Sequence, residues 1–195
     1  MTQPGPDGVL RCPWGDHAAM ITYHDREWGR ELRGDRALFE RMSLEAFQSG
    51  LSWATILRKR ESFRAAFGHF DPEVVAAFGD DDVARLLGDT GIVRNRLKID
   101  ATISNARTVL ELGESFSDLL WTFAPPPRPA PRTYDEVPAI TEESTDMAKA
   151  LKKKGFRFVG PTTAYALMQA TGMVNDHLSG CIARTPAREP LDLDS

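Results

Sequence analysis

Two cysteines and four histidines are few enough to weigh one at a time. His177 and Cys181 stand four residues apart. That spacing puts both side chains on one helix face or one irregular turn, where they can share a metal ion. Cys12 and His24 can supply two further ligands, and two cysteines with two histidines make the closed tetrahedral set of a structural zinc. The pairs lie about 150 residues apart, so two buried thiols and two ordinary histidines satisfy the same pattern. His17 and His69 have no such partner. With no export signal at the N-terminus, a disulfide between Cys12 and Cys181 is not expected.

A second group joins aromatics to a carboxylate. Tyr23-His24-Asp25-Arg26-Glu27-Trp28 is followed by Glu45, Gln48, Gly50, Leu51, Ser52 and Trp53. Glu45 lies in an otherwise apolar stretch, three residues after Met42. A carboxylate on an apolar helix face is costly without a donor. Beside aromatics it suits a flat, cationic ligand held by stacking and cation–π attraction. A capping or salt-bridged glutamate inside an aromatic core accounts for the same residues.

A third group is basic. In DVARLLGDTGIVRNRLKIDATISNAR, a short helix, a turn at Gly91 and a longer helix succeed one another. Gly91 can take a backbone shape closed to other residues. Backbone N–H groups at the start of a helix bind anions, and Arg94, Arg96 and Lys98 flank them. A helix-hairpin-helix that grips phosphate without reading sequence has this layout, and so does a plain turn with solvated arginines. The net charge of −4 weighs mildly against nucleic acid. Local runs such as Arg58-Lys59-Arg60 and Lys152-Lys153-Lys154 still allow a basic face on an acidic protein.

The elements that must position these residues are almost all helical. Asp35 can cap a helix ending at Gly50, and Ser52 one that stops at Gly68. Asp71-Pro72 opens a third, with proline at its first position. Further helices are predicted at 82–88, 95–112, 115–122, 144–154 and 162–171; only Phe156–Val159 reads as extended. Without sustained alternation, an all-α fold is expected. A Pro-rich connector at 124–138 separates a larger block, 15–123, from a smaller one, 140–182. Together they make one helical domain at 10–182, with loose termini at 1–9 and 183–195. At 42% hydrophobic and 27% charged residues the composition is globular. No stretch nears the roughly 18 apolar residues of a membrane span, and the N-terminus does not read as a secretory signal.

In order along the chain, RCPW, YHDREWG, LEAFQSGLSW, GIVRNRLKI, NAR, GFRFVGPTTAYALMQATGMVNDH and GC closely resemble the DNA-3-methyladenine glycosylase I family of bacterial alkylation-repair enzymes. The resemblance covers about residues 10–182. It implies the helix-hairpin-helix glycosylase fold, with two helical subdomains and one structural zinc on Cys12, His24, His177 and Cys181 that joins the N- and C-terminal segments. It makes Glu45 the acid that hydrogen-bonds the alkylated base. Tyr23 and Trp53 become pocket aromatics, with Trp14, Trp28 and Gln48 in matching motifs. Leu51, after Gly50, becomes the residue that fills the hole left by a flipped nucleotide. Met20 stands where some members carry a second tyrosine, and Phe47 where some carry a glutamine.

The implied activity is hydrolytic removal of 3-methyladenine from double-stranded alkylated DNA, without strand cleavage. It would be carried out by a cytoplasmic monomer. Many members of the wider superfamily use a catalytic aspartate, and the bifunctional ones a Schiff-base lysine; the resemblance implies neither here. Two alternatives stay open. One is a glycosylase for a different alkylated base, which Met20 favours. The other is a non-catalytic DNA-binding module that keeps the hairpin and the zinc clip, against which Glu45, Trp53 and Tyr23 argue.

Overall fold

The computed structural model describes residues 1–15 and 18–184; His17 lies outside them. Among the described residues the chain forms nine helices. They are α1 (Ile21–Arg26), α2 (Asp35–Gln48), α3 (Trp53–Ala66), α4 (Pro72–Ala76), α5 (Asp80–Gly88), α6 (Arg96–Glu111), α7 (Phe116–Trp121), α8 (Glu142–Lys153) and α9 (Pro161–Ala170). Strands are confined to β1 (Gln3–Pro4) and β2 (Leu10–Arg11), antiparallel with Gln3 opposite Arg11. Residues 1–9 therefore depart from the loose terminus expected. Arg11 fastens this hairpin by ion pairs to Asp7 at 2.7 Å and Asp25 at 2.8 Å. At the other end, Ala183 and Arg184 belong to a 3-10 turn, Ile182–Arg184; the rest of the tail expected at 183–195 lies outside the described residues.

Local capping chemistry starts most of the helices. The Ser52 hydroxyl accepts the Thr55 N–H, Asp71 accepts that of Glu73 with Pro72 following, and Asn95 accepts that of Lys98. Each such cap satisfies an N–H that the first turn cannot pair, worth about 1 kcal/mol. Asp35 differs from expectation. The cap of α2 is Gly34, at φ +92°. The Asp35 carboxylate instead accepts the Ser117 N–H at 2.8 Å and the Ser115 hydroxyl at 3.0 Å, so it caps α7 across the fold.

The chain divides into two compact units, and neither is a continuous segment. One comprises Leu32–Phe123 and Ile140–Leu167. Its core is aromatic: Phe47 packs on Phe63 at 4.7 Å between centroids, and Phe67 stacks on Phe70 at 5.4 Å. Arg107 ties α6 to the end of α4 by donating to the Ala76 and Phe78 carbonyls.

The other unit comprises Met1–Glu31, Ala124–Ala139 and the chain from Met168. The Pro-rich connector thus belongs with the two ends of the chain, where the sequence suggested a spacer. Ser179 donates to the Pro131 carbonyl at 2.7 Å, and Gly29 to that of Gln169 at 3.0 Å. Gly172, at φ +75°, lets the Arg30 backbone pass: a Cβ there would sit 2.6 Å from the Arg30 oxygen and the Glu31 nitrogen.

Candidate functional site

In the unit of the two chain ends, Cys12, His24, His177 and Cys181 come together, all buried, with their ligand atoms within 4.8 Å of one another. Cys12 Sγ lies 3.7 Å from His177 Nδ1; Cys181 Sγ lies 3.6 Å from that atom and 3.5 Å from His24 Nε2. A tetrahedral zinc, with sulfur at about 2.3 Å and nitrogen at about 2.0 Å, sets sulfur-to-nitrogen edges of about 3.5 Å. The donor set therefore fits a metal ion in chemistry and spacing. The far ring nitrogens are also committed, as metal-binding imidazoles require. His24 Nδ1 is 2.7 Å from Asp25, and His177 Nε2 is 2.9 Å from the Trp28 carbonyl. Burial pushes Asp25 up, but hydrogen bonds from Arg11 and His24 outweigh it and hold the carboxyl below its ordinary range. Hydrogen bonds from Cys12, His177 and His24 hold the Cys181 thiol well below the usual thiol range. The hydrogen bond shared with Cys181, together with burial, pushes the Cys12 thiol up, so the pair is disposed to hold one negative sulfur.

Aromatic rings surround this cluster. Trp14 meets His24 edge-on at 4.9 Å and Trp28 at 4.8 Å; Trp28 meets His177 at 4.7 Å and 89°. Tyr23 is buried in α1, 6.3 Å from Trp14. Met20 is buried just before that helix. Trp14, Tyr23 and Trp28 are therefore gathered into one assembly with the Cys/His group, a link that motif order alone did not show.

In the other unit, α2 carries Glu45, which is 5% exposed. Burial pushes its carboxyl up to about 7, with the Arg41 charge pulling the other way. Among the described residues no hydrogen bond closes on this carboxyl. Arg41, one turn earlier on the same face, was not singled out in the sequence. The i, i−4 spacing to Glu45 was its available signal. The Arg41 guanidinium also lies 5.6 Å from the Trp53 ring centre, so the charge that acts on Glu45 also faces that ring. The capping role considered for Glu45 is not observed. Gln48 ends α2, and Leu51 follows Gly50, at φ +84°, with 44% exposure.

The basic group separates. Arg94 and Arg96 are exposed, Arg96 lying 3.5 Å from Asp100. Lys98 is 7% exposed, and its ammonium donates to the Phe47 carbonyl at 2.9 Å and the Ser49 carbonyl at 2.7 Å. It therefore departs from the surface cation expected. On a helix, residues two apart point to different faces, so Lys98 turns inward where Arg96 turns out. Gly91 also differs, since its φ is not in the left-handed region. The site needs glycine for space, because a Cβ would meet Asp89 at 2.9 Å and Ser62 at 3.0 Å. The Gly91 N–H is already engaged by Asp89 at 2.7 Å.

A second helix–turn–helix, between α8 and α9, escaped the sequence reading of 156–159 as extended. Gly155 has φ +100° and Phe158 φ +57°. Buried Asn105 clasps Arg157 from both sides, accepting its N–H at 2.8 Å and donating to its carbonyl at 3.0 Å. Gly155 and Gly160-Pro161 bracketing a four-residue gap before helical periodicity resumes were the available signal.

Residues 14–185 match the model of the methyladenine glycosylase family. The chain is 48% identical over 177 residues to DNA-3-methyladenine glycosylase 1 of Escherichia coli, covering 88% of this chain and 95% of that one. A crystal structure of a 3-methyladenine DNA glycosylase I superposes with a TM-score of 0.84 at 50% identity, over 88% of this chain and 97% of the other. The Staphylococcus aureus 3-methyladenine DNA glycosylase I, solved to explain 3-methyladenine recognition, gives 0.86 at 33% identity, over 91% and 98%.

Proposed function

Because this chain belongs to the methyladenine glycosylase family, we propose that it removes 3-methyladenine from alkylated DNA by hydrolysing the bond between base and sugar. The observation that supports the reading is Glu45, a buried carboxyl on α2 with no hydrogen-bond donor among the described residues, one turn from Arg41, whose guanidinium lies 5.6 Å from the Trp53 ring centre.

Methylation at N3 makes adenine cationic while it is still attached to the sugar. The bond is thereby weakened, because the base leaves neutral and no strong acid is needed to protonate it. The enzyme must take the nucleotide out of the duplex, hold the cation and stabilise charge as it moves to the sugar. A cationic base supplies what the Glu45 site lacks. It favours the ionised carboxylate, whose pKa burial has raised, and its amino group donates a hydrogen bond. Unmodified adenine offers the amino group without the charge, so electrostatics favour the damaged base. Water then adds to the sugar carbon, leaving an abasic site and an uncut strand.

Tyr23 and Trp53 are assigned to the aromatics that hold the base, with Trp14 and Trp28 in the matching motifs near them. Arg94 and Arg96 are assigned to phosphate contacts, within the helix-hairpin-helix class of fold, and Leu51 to the gap left in the duplex. Cys12, His24, His177 and Cys181 hold one zinc whose role is structural, tying the N-terminal segment to the chain after α9. No helix among the described residues is long and apolar enough to cross a membrane. The cytoplasm of a bacterium, where its DNA lies, is the expected place of action, and a monomer the expected form.

The test is chromatography of the bases released from methylated duplex DNA. Free 3-methyladenine with an intact strand is expected. Release of 7-methylguanine alone would move the substrate to another alkylated base, as Met20 in place of a tyrosine suggests. No release would leave a DNA-binding module.

A further inference from the structure

Lys98 is buried, charged and absorbed by none of the roles above. Its ammonium contacts two carbonyls, of Phe47 and Ser49, at the C-terminal end of α2. A helix ends with carbonyls that lack partners and with partial negative charge, and an ammonium satisfies both. The lysine stem rises from the first turn of α6, whose Ile99, Ile103 and Ala106 are in the core. The cation is therefore anchored to the rigid interior, and the turn it grips lies at the surface.

That turn is short. Ser49 leaves the helical region at φ −47° and ψ 115°, Gly50 is left-handed, and the Leu51 N–H closes on the Gln48 carbonyl at 2.6 Å, a type II turn. Ser49, Gly50 and Leu51 are all exposed, and a Cβ on Gly50 would meet nothing within 4 Å. Among the described residues, Lys98 ties this turn to the core through the Ser49 carbonyl and holds the helix end behind it through that of Phe47. A single exposed leucine is ordinary on any protein; one whose preceding backbone is clamped by a buried cation is not.

We propose that Lys98 is a positioning residue: its ammonium locks the turn after α2, so that Leu51 stands ready to occupy the space a nucleotide leaves in the duplex. The proposal rests on the excision reading above. Lys98 touches neither base nor phosphate in this role. It acts through the backbone at 47–51, and it reduces the ordering that insertion of Leu51 into DNA would otherwise require.

The experiment is a double-mutant cycle between Lys98→Met and Leu51→Ala. Its readouts are release of 3-methyladenine from duplex DNA, emission of 2-aminopurine placed at the flipped position, and equilibrium affinity for free 3-methyladenine. Each single variant is expected to slow release by about ten- to a hundredfold, the scale of a displaced positioning contact, and to weaken the 2-aminopurine signal. Affinity for the free base should stay within about twofold, because Leu51 has no part in holding it. The double variant should be no slower than the slower single one, and Lys98→Arg should recover most of the rate. If Lys98→Met does not fold, Lys98→Gln, which keeps one amide donor, goes through the same cycle. The proposal is overturned if the Lys98 and Leu51 effects multiply, if free-base affinity falls as far as the rate, or if an active parent is matched by Lys98→Met. A parent that releases no 3-methyladenine refutes the excision reading instead.

Discussion

Glu45→Gln separates what Glu45 does for the substrate from what it costs the fold. The carboxyl is pushed up to about 7 in the folded chain from an ordinary 4.5. An acid whose folded pKa is raised holds its proton more tightly when folded. The folded chain is therefore relatively most stable where both states are protonated, below about pH 4.5, and loses stability as pH rises toward 7. Two and a half pH units at 1.36 kcal/mol each give about 3 kcal/mol lost by pH 8. Glutamine keeps the shape and never ionises. The difference in unfolding free energy between Glu45→Gln and the parent should thus move by about 3 kcal/mol in favour of the variant between pH 4.5 and pH 8, any unsatisfied buried amide shifting both ends of the curve equally. Urea titration at half-unit pH steps, read as the difference between the two proteins, cancels every other titrating group. Over the same range the variant should lose at least about tenfold in 3-methyladenine release, since one hydrogen bond to a charged group is worth about 1.5–3 kcal/mol. A stability difference that is flat between pH 4.5 and 8 would refute the argument that Glu45 is desolvated. Release at the parent rate would remove it from base recognition.

Elemental analysis should find one zinc per chain, and Cys181→Ala should lose it and unfold several kcal/mol more easily, as loss of a structural metal does. Arg94→Ala and Arg96→Ala should each weaken binding to damaged and undamaged duplex alike, and each true phosphate contact removed should lower the salt-dependence slope by about 1. Gly172→Ala combines a left-handed φ with a Cβ driven into the Arg30 backbone. It should cost more than about 3 kcal/mol in a thermal or urea melt, at the severe end for a point substitution.

Features governed by neighbours in sequence were readable, and features governed by neighbours in space were not. Ser52, Asp71 and Asn95 cap the helices that follow them because the capping bond spans only two or three residues. Asp35 sits in the same kind of position, yet its carboxylate caps α7, some eighty residues later; no local pattern encodes that. The Cys/His group was readable as a set of types, but its closure depends on bringing both chain ends and the 124–139 connector into one unit. Lys98 was grouped with Arg94 and Arg96 by proximity along the chain. Helical geometry had already assigned it to another face, and only the fold shows the carbonyls it meets there. Arg41 escaped notice for the opposite reason: an arginine in an amphipathic helix looks solvated until its burial is known.

The edge-on packing of Trp14 on His24 and of Trp28 on His177 gives the molecule an internal optical reporter. Indole emission responds to the charge and polarity of the groups packed against the ring. Two of the chain's four tryptophans are therefore placed to register whether an ion sits among the Cys/His donors. The same signal, followed in a stopped-flow chelator experiment, would time the release of an ion from its four donors without any added label.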